Sequence, residues 1–330
     1  MKIRQLPTIA LIASAISISA PTFGAEVTWR ATSAYPSNSN SGLAFKAMSE
    51  KLSELTNGEF VLKPHPDGSL GFKDGDNFHV VSDGLVEVAE TSAGGLTGID
   101  PLFGVVTLPF IAPDDDVIHH MMKVSKPTFG KIFEENGQML VGWGTFPGVG
   151  VFAKDKTTTP AGMKGLKIRT YDAFSAEAFK SFGASPVQLA WGEVVPSLSS
   201  GVVDAVLTST VGGVSTKLWD LGITDYSQIG YSTPITLLHI NKEAFDDLDP
   251  EFKTAFLKAV EHFTTKNWEL AQSTQRENLE ELKTKGIEIH SNIDPDLKNK
   301  FQSAARSAAD DWVEKTGTDG KALLNAVQER

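Results

Sequence analysis

Arg169 is the residue of this chain best placed for recognition chemistry. It follows the apolar run Leu166-Lys167-Ile168, which reads as a short strand. The C-terminal ends of such strands are where α/β proteins present groups to a ligand. A guanidinium there can hold a carboxylate or sulfonate through two parallel hydrogen bonds. The competing reading is a surface ion pair of little energy, the commoner fate of a strand-end arginine, and composition alone favours it. Other candidates are weaker. His119 and His120 are adjacent, so on a helix their rings point to different faces and suit a surface better than a metal. Asp114-Asp115-Asp116 follows a proline and precedes an apolar helix start. It lacks the alternating ligands of a calcium loop and reads as N-terminal capping. Glu193 and Asp204 are flanked by turn and strand-end signals, a poor setting for a paired acid and base. There is no G-x-S-x-G, H-E-x-x-H, Walker loop or G-x-G-x-x-G. With no cysteine, thiolate nucleophiles, disulfides and Cys-ligated metal centres are excluded. We expect no enzyme and no cofactor, catalytic residue or metal site.

The elements that must position Arg169 follow from periodicity. Val27 to Thr32 reads as a strand, and Leu43, Phe45, Met48 and Leu52 then recur at helical spacing up to Gly58. Glu59 to Pro64 is a second strand, so the chain opens strand–helix–strand, the unit of a parallel sheet. A helix over Asp76 to Ser82, a strand over Leu85 to Glu90, a helix near Pro127 to Glu135 and a strand over Met139 to Trp143 continue the alternation. A second alternating zone holds strands at Leu166–Arg169, Pro186–Leu189 and Val202–Leu207, with helices at Ala173–Phe182 and Glu193–Ser199. Between the zones, Val149 to Gly165 is rich in Thr, Lys, Gly and Pro and reads as a crossing between lobes. Near the end, Asp249 is a good N-cap before Pro250. Phe252, Phe256, Val260 and Phe263 begin an apolar stripe that runs to Gly286, a helix long enough to bridge both lobes. Heptads are not sustained, which argues against a coiled coil.

Residues 1–24 read as a secretory signal peptide: Lys2 and Arg4, an uncharged stretch from Leu6 to Ala20, then small residues around Thr22, Gly24 and Ala25. The apolar run is shorter than the ~20 residues that span a bilayer. Cleavage after Gly24 leaves roughly 300 residues, enough for two medium domains. The net charge of −11 argues against nucleic acid or anionic lipid as a partner, and becomes more negative when Lys2 and Arg4 are removed.

The residues around Arg169 sharpen the reading. Gly165-Leu166-Lys167-Ile168-Arg169, Phe182-Gly183-Ala184-Ser185-Pro186-Val187, Trp191-Gly192-Glu193-Val194 and Gly201-Val202-Val203-Asp204 resemble the signature block of the TRAP transporter solute-binding subunits of the DctP type. Gly68-Ser69-Leu70-Gly71, Leu108-Pro109-Phe110, Leu248 and Thr316-Gly317 resemble that family too, in order and at matching spacing. The resemblance implies an α/β, two-lobed periplasmic binding protein fold with a long lobe-spanning C-terminal helix. Lobe I would comprise 25–147 plus about 234–273 and lobe II 148–233 plus about 274–330, with the ligand cleft between them. It implies a monomeric periplasmic protein whose partners are a small organic anion and the transporter's membrane subunits. The family's filter arginine falls on Arg169 and its aromatic lining position on Trp191. Its polar group after the Gly-Val-Val-Asp strand falls on Thr208, with Ser209 beside it. First-lobe contacts fall on Thr32, Ser33, Thr91 and Ser92, and the residue after the filter strand is Asp172.

Two departures narrow the ligand. Sugar-acid-binding relatives carry a second arginine where this chain has Val149, and the Asn-Pro that often follows the Val-Asp strand is replaced by Thr208-Ser209. Both remove polar groups and favour a carboxylate or sulfonate monoanion with a partly apolar body, with an aromatic one open beside Trp191. The rival classes are a ligand-sensing adaptor for a signalling receptor, which could share this sequence, and an exported hydrolase, for which no nucleophile is present.

Overall fold

A computed structural model describes residues 27–112 and 115–329. The expected signal peptide and Asp114 lie outside the described residues, as does the side chain of Asp115. The strands are β1 (Val27–Thr32), β2 (Phe60–His65), β3 (Val88–Ser92), β4 (Gln138–Thr145), β5 (Val149–Ala153), β6 (Lys167–Thr170), β7 (Ser185–Gln188), β8 (Ala205–Ser209), β9 (Asp225–Ser227), β10 (Ile235–Asn241) and β11 (Glu288–His290). The helices are α1 (Asn40–Leu55), α2 (Asn77–Ser82), α3 (Asp115–Glu135), α4 (Pro160–Met163), α5 (Ala173–Ser181), α6 (Val194–Ser199), α7 (Thr210–Ser215), α8 (Lys242–Asp246), α9 (Pro250–Thr284) and α10 (Pro295–Gln328).

Two mixed sheets result, in the orders β2-β1-β3-β10-β4 and β11-β9-β5-β8-β6-β7. In the first, β1 runs parallel to β2 and β3, while β10 is antiparallel to both β3 and β4. In the second, β6 is parallel to β7 and β8, and β5 is antiparallel to β8 and β9. The strands nearest each centre are buried because helices cover both faces of the sheet, although β3 and β10 carry the polar Glu90, Thr91, Thr236 and His239 among their buried residues. All five residues of β5 and of β8 are buried.

Phe45, Met48 and Leu52 of α1 pack with Phe252, Phe256 and Phe263 of α9 on one face of the first sheet. Phe129 and Phe133 of α3 pack with Phe103 and Trp312 on the other. Across the second sheet, Phe179 and Phe301 share one cluster, and Phe152, Tyr226 and Leu282 share another. Helix α9 therefore joins both lobes, its first half in the first core and Leu282 in the second. Helix α10 does the same, with Phe301 in the second core and Trp312, Leu323 and Val327 in the first. It is interrupted at Gly317, whose φ of 64° and ψ of −139° lie outside the helical region. Among the described residues no helix is long and apolar enough to cross a membrane.

Several boundaries differ from the expected ones. Val149–Ala153, read as part of a crossing, is a fully buried central strand; the chain passes between sheets just before it, over residues 146–148. The return passage, residues 228–234, lies alongside: Val149 N donates to Ser232 O at 2.9 Å, and Phe146 N to Pro234 O at 3.2 Å. The two sheets are thus joined by a hydrogen-bonded pair of segments. Strand β3 starts three residues later than expected and β8 ends two later, bringing Ser92, Thr208 and Ser209 to the strand ends. Asp249 precedes α9 as an N-cap should, but its side chain makes no capping hydrogen bond.

Candidate functional site

A cavity of about 530 Å³ opens between the two sheets. Strand β6 carries Arg169 to its wall, and the residue is only 5% exposed. Its Nε donates to Leu189 O at 3.1 Å and its Nη1 to Leu207 O at 3.1 Å. The guanidinium carbon lies 5.5 Å from the Trp191 ring centroid and 5.7 Å from that of Tyr171. Two backbone carbonyls and two aromatic rings thus hold the group in place, and they occupy two of its five N–H donors. Among the described residues no carboxylate comes within 4.0 Å of it, so its charge has no direct ion-pair partner. Burial pushes its pKa down to about 10, and the neighbouring Tyr171, Tyr35, Asp172 and Asp74 act against that shift. It therefore remains a cation at neutral pH.

The rest of the wall is built from strand ends and the passages between lobes. Trp191, Thr208, Ser209 and Gly212 line the second-lobe side. Ser209 is the N-cap of α7, its side chain accepting from Gly212 N at 3.4 Å. A Cβ on Gly212 would meet the Thr208 hydroxyl and come within 2.7 Å of the Trp191 ring, so glycine is what lets that ring lie against α7. Tyr171 shares a 2.7 Å hydrogen bond with Ser232 of the return passage, tying the end of β6 to the junction. On the first-lobe side stand Tyr35, Asp74 and Ser92. Asp74 Oδ1 accepts from Ser92 N at 3.0 Å and Oδ2 from Ser92 Oγ at 2.5 Å. At the rim, Lys73 Nζ of the first lobe lies 3.7 Å from Glu193 of the second, an exposed pair of small energy.

Of the nine expected site residues, the cavity wall includes Arg169, Trp191, Thr208, Ser209 and Ser92, and leaves out Thr32, Ser33, Thr91 and Asp172. Side chains alternate along β3, so that Ser92 lines the cavity and Thr91 does not, whereas Thr208 and Ser209 both reach the wall at the end of β8. Thr91 turns inward and shares a 2.8 Å hydrogen bond with His239, whose pKa burial pushes down to about 3. Ser33 donates to the buried Glu90 at 2.9 Å, and Ser41 and Thr236 also donate to that carboxylate. Thr32 is buried on β1. Asp172 is the N-cap of α5, accepting from Ser175 N at 2.7 Å. Hydroxyls and carboxylates at strand ends serve caps and buried networks as readily as ligands. Val149 does line the cavity, as the alignment with the second arginine implied.

Sequence reasoning missed Tyr35, Asp74, Phe146, Tyr171 and Ser232. Tyr171 stands two residues beyond Arg169, just past the end of β6, and that closeness was the available signal. Asp74 sits in the polar stretch Lys73-Asp74-Gly75-Asp76, where nothing in the pattern separates a lining carboxylate from a solvated one. His119 and His120 make separate contacts, as their adjacency required: His119 packs 4.1 Å from Trp268, and His120 Nε2 bonds Ala326 O at 2.7 Å. A cluster of Asp225, Glu288 and His290 lies on β9 and β11 at the outer edge of the second sheet, apart from the cavity, with His290 bonded to Asp225 at 2.6 Å.

Comparison with family models finds one match, over residues 31–316, to the bacterial extracellular solute-binding proteins of family 7, the DctP type. The chain belongs to this family. Among family 7 relatives, the 2,3-diketo-L-gulonate-binding periplasmic protein YiaO of Escherichia coli is 28% identical over 87% of each chain. The ectoine/5-hydroxyectoine-binding periplasmic protein UehA of Ruegeria pomeroyi is 25% identical over 97% of this chain and 95% of its own. The solved structure of DctP6, a Bordetella pertussis extracytoplasmic solute receptor binding pyroglutamic acid, superposes with a TM-score of 0.87. It is 26% identical, covering 92% of this chain and 100% of its own. The two sheets, the cleft between them and the long C-terminal helices are thus the two-lobed architecture of the TRAP solute-binding proteins.

Proposed function

We propose that this protein captures a small organic monoanion in the periplasm and delivers it to the membrane subunits of a TRAP transporter, without catalysing a reaction. The observation that carries this reading is the buried Arg169 guanidinium on the cleft wall with no carboxylate of the described residues within ion-pair distance. A buried cation left without a counter-charge is costly, and a ligand carboxylate or sulfonate supplies one. Trp191, Thr208, Ser209 and Ser92 complete the ligand wall, and the aromatic rings around Arg169 favour a compact, partly apolar body. Pyroglutamate, a cyclic monocarboxylate, is the first compound to try. Isothermal titration across an organic-acid library, with neutral sugars and amines as controls, tests the reading: one acid bound per chain is expected, and tight binding of a neutral sugar with no acid bound would overturn it.

Lobe I is proposed to comprise 25–147 with about 234–273, and lobe II 148–233 with about 274–330, except that the second half of α10 packs into the first core. Lobe movement about residues 146–148 and 228–234 would bury the ligand. The mature protein is expected to scatter X-rays as a monomer whose radius of gyration falls when the acid is added. An unchanged profile at saturation would count against closure.

The pH dependence follows from the same group. Binding needs Arg169 protonated, and burial lowers its pKa to about 10. Affinity is therefore expected to hold level over roughly pH 6–9, where a ligand carboxylate is ionised, and to fall as pH rises through about 10. Titrations across this range check it.

A further inference from the structure

Asp74 is the feature of the cleft that the capture of an anion leaves unexplained. It lines the same cavity as Arg169, so an incoming carboxylate meets a carboxylate as well as a cation. Its hydrogen-bond partners both come from Ser92, the backbone N–H and the hydroxyl. A carboxylate has about four acceptor positions, so acceptor capacity remains on a carboxylate that lines the cavity. Gly95, also in the wall, accommodates the pair: a Cβ there would come within 2.9 Å of Ser92 Oγ and 2.6 Å of Asp74 Oδ2. Among the described residues no Lys, Arg or His lies within 4.0 Å of it.

Resting on the organic-acid reading, we infer that Asp74 is a specificity residue: within organic monocarboxylates it selects those carrying a hydrogen-bond donor, N–H or O–H, and rejects those with a second anionic end. A donor-free ligand would strip water from this carboxylate without replacing the lost hydrogen bond, and a dianion would set like charges together. Burial raises the Asp74 pKa, while the two Ser92 hydrogen bonds and the charge of Arg169 act to keep the carboxylate ionised.

Matched ligand pairs test this. Pyroglutamate is titrated against its ring-oxygen lactone analogue, which differs by N–H replaced with O, and mandelate against phenylacetate, which lacks the hydroxyl. The two pairs tell an N–H requirement from an O–H one. Wild-type protein is expected to prefer the donor-bearing member of the pair it accepts by about 100-fold. Asp74→Asn presents an amide in the same volume, and should shrink that preference at least tenfold while its thermal midpoint without ligand shows that it folds. Equal binding within the pair by wild type, full preference retained in Asp74→Asn, or a donor-free acid as the tightest binder of the whole acid library would overturn the inference and leave the organic-acid reading standing. Failure of every acid to bind would remove the organic-acid reading itself, and the inference with it.

Discussion

Arg169→Ala is expected to weaken binding of the acid by about 2–5 kcal/mol, the range for removing one partner of a buried, hydrogen-bonded charge pair. Most of that loss belongs to the ligand: its carboxylate would be desolvated on closure with no cation to receive it. Arg169→Lys should recover only part. An ammonium cannot make a two-pronged contact, and it lacks the planar fork that also satisfies the carbonyls of Leu189 and Leu207. Titration of each variant with the acid that binds wild type is the measurement, and thermal midpoints without ligand control for folding. Wild-type affinity in Arg169→Ala would mean that the guanidinium only stitches together the ends of β7 and β8.

Trp312→Ala should cost about 3–5 kcal/mol of stability, the usual range for truncating a fully buried tryptophan. Its ring is completely buried among Phe103, Phe129 and their neighbours, and its Nε1 donates to Pro101 O at 2.7 Å. The loss combines apolar contact, a cavity and an unpaired carbonyl. Denaturant unfolding followed by circular dichroism checks it; a change below about 1 kcal/mol would show that α10 is dispensable to the first core. Trp312→Phe should lie between, keeping most of the apolar contact and losing the hydrogen bond.

Much of the scaffold was legible because apolar periodicity is local. β1, α1, β2, α5 and α9 stand close to where their spacing placed them. Strand β5 was not legible, because its VGVFA run adjoins the turn-rich Thr-Lys-Pro stretch that dominates composition there. β10 gave no strand–helix alternation to notice, since it enters its sheet antiparallel and from far along the chain. In the site, Arg169 and Trp191 were readable from a motif whose spacing spans four elements. Asp74, Phe146 and Ser232 were not, because what makes them lining residues is the approach of distant segments. Thr91 and Ser92 show the limit most simply: adjacent hydroxyls on one strand, of which a one-residue register decides which faces the cleft.

The place of β10 also constrains how the molecule can form. It lies between β3 and β4, yet follows β4 only after the whole of β5 to β9 has been threaded through the other sheet. The first sheet therefore cannot close until residues 235–241 arrive, and its core is incomplete until α9 and the second half of α10 dock. The N-terminal half is accordingly expected not to fold in isolation. Such non-local pairing folds slowly, and a chain lacking its last third should remain open, with strand edges exposed, until that third is supplied.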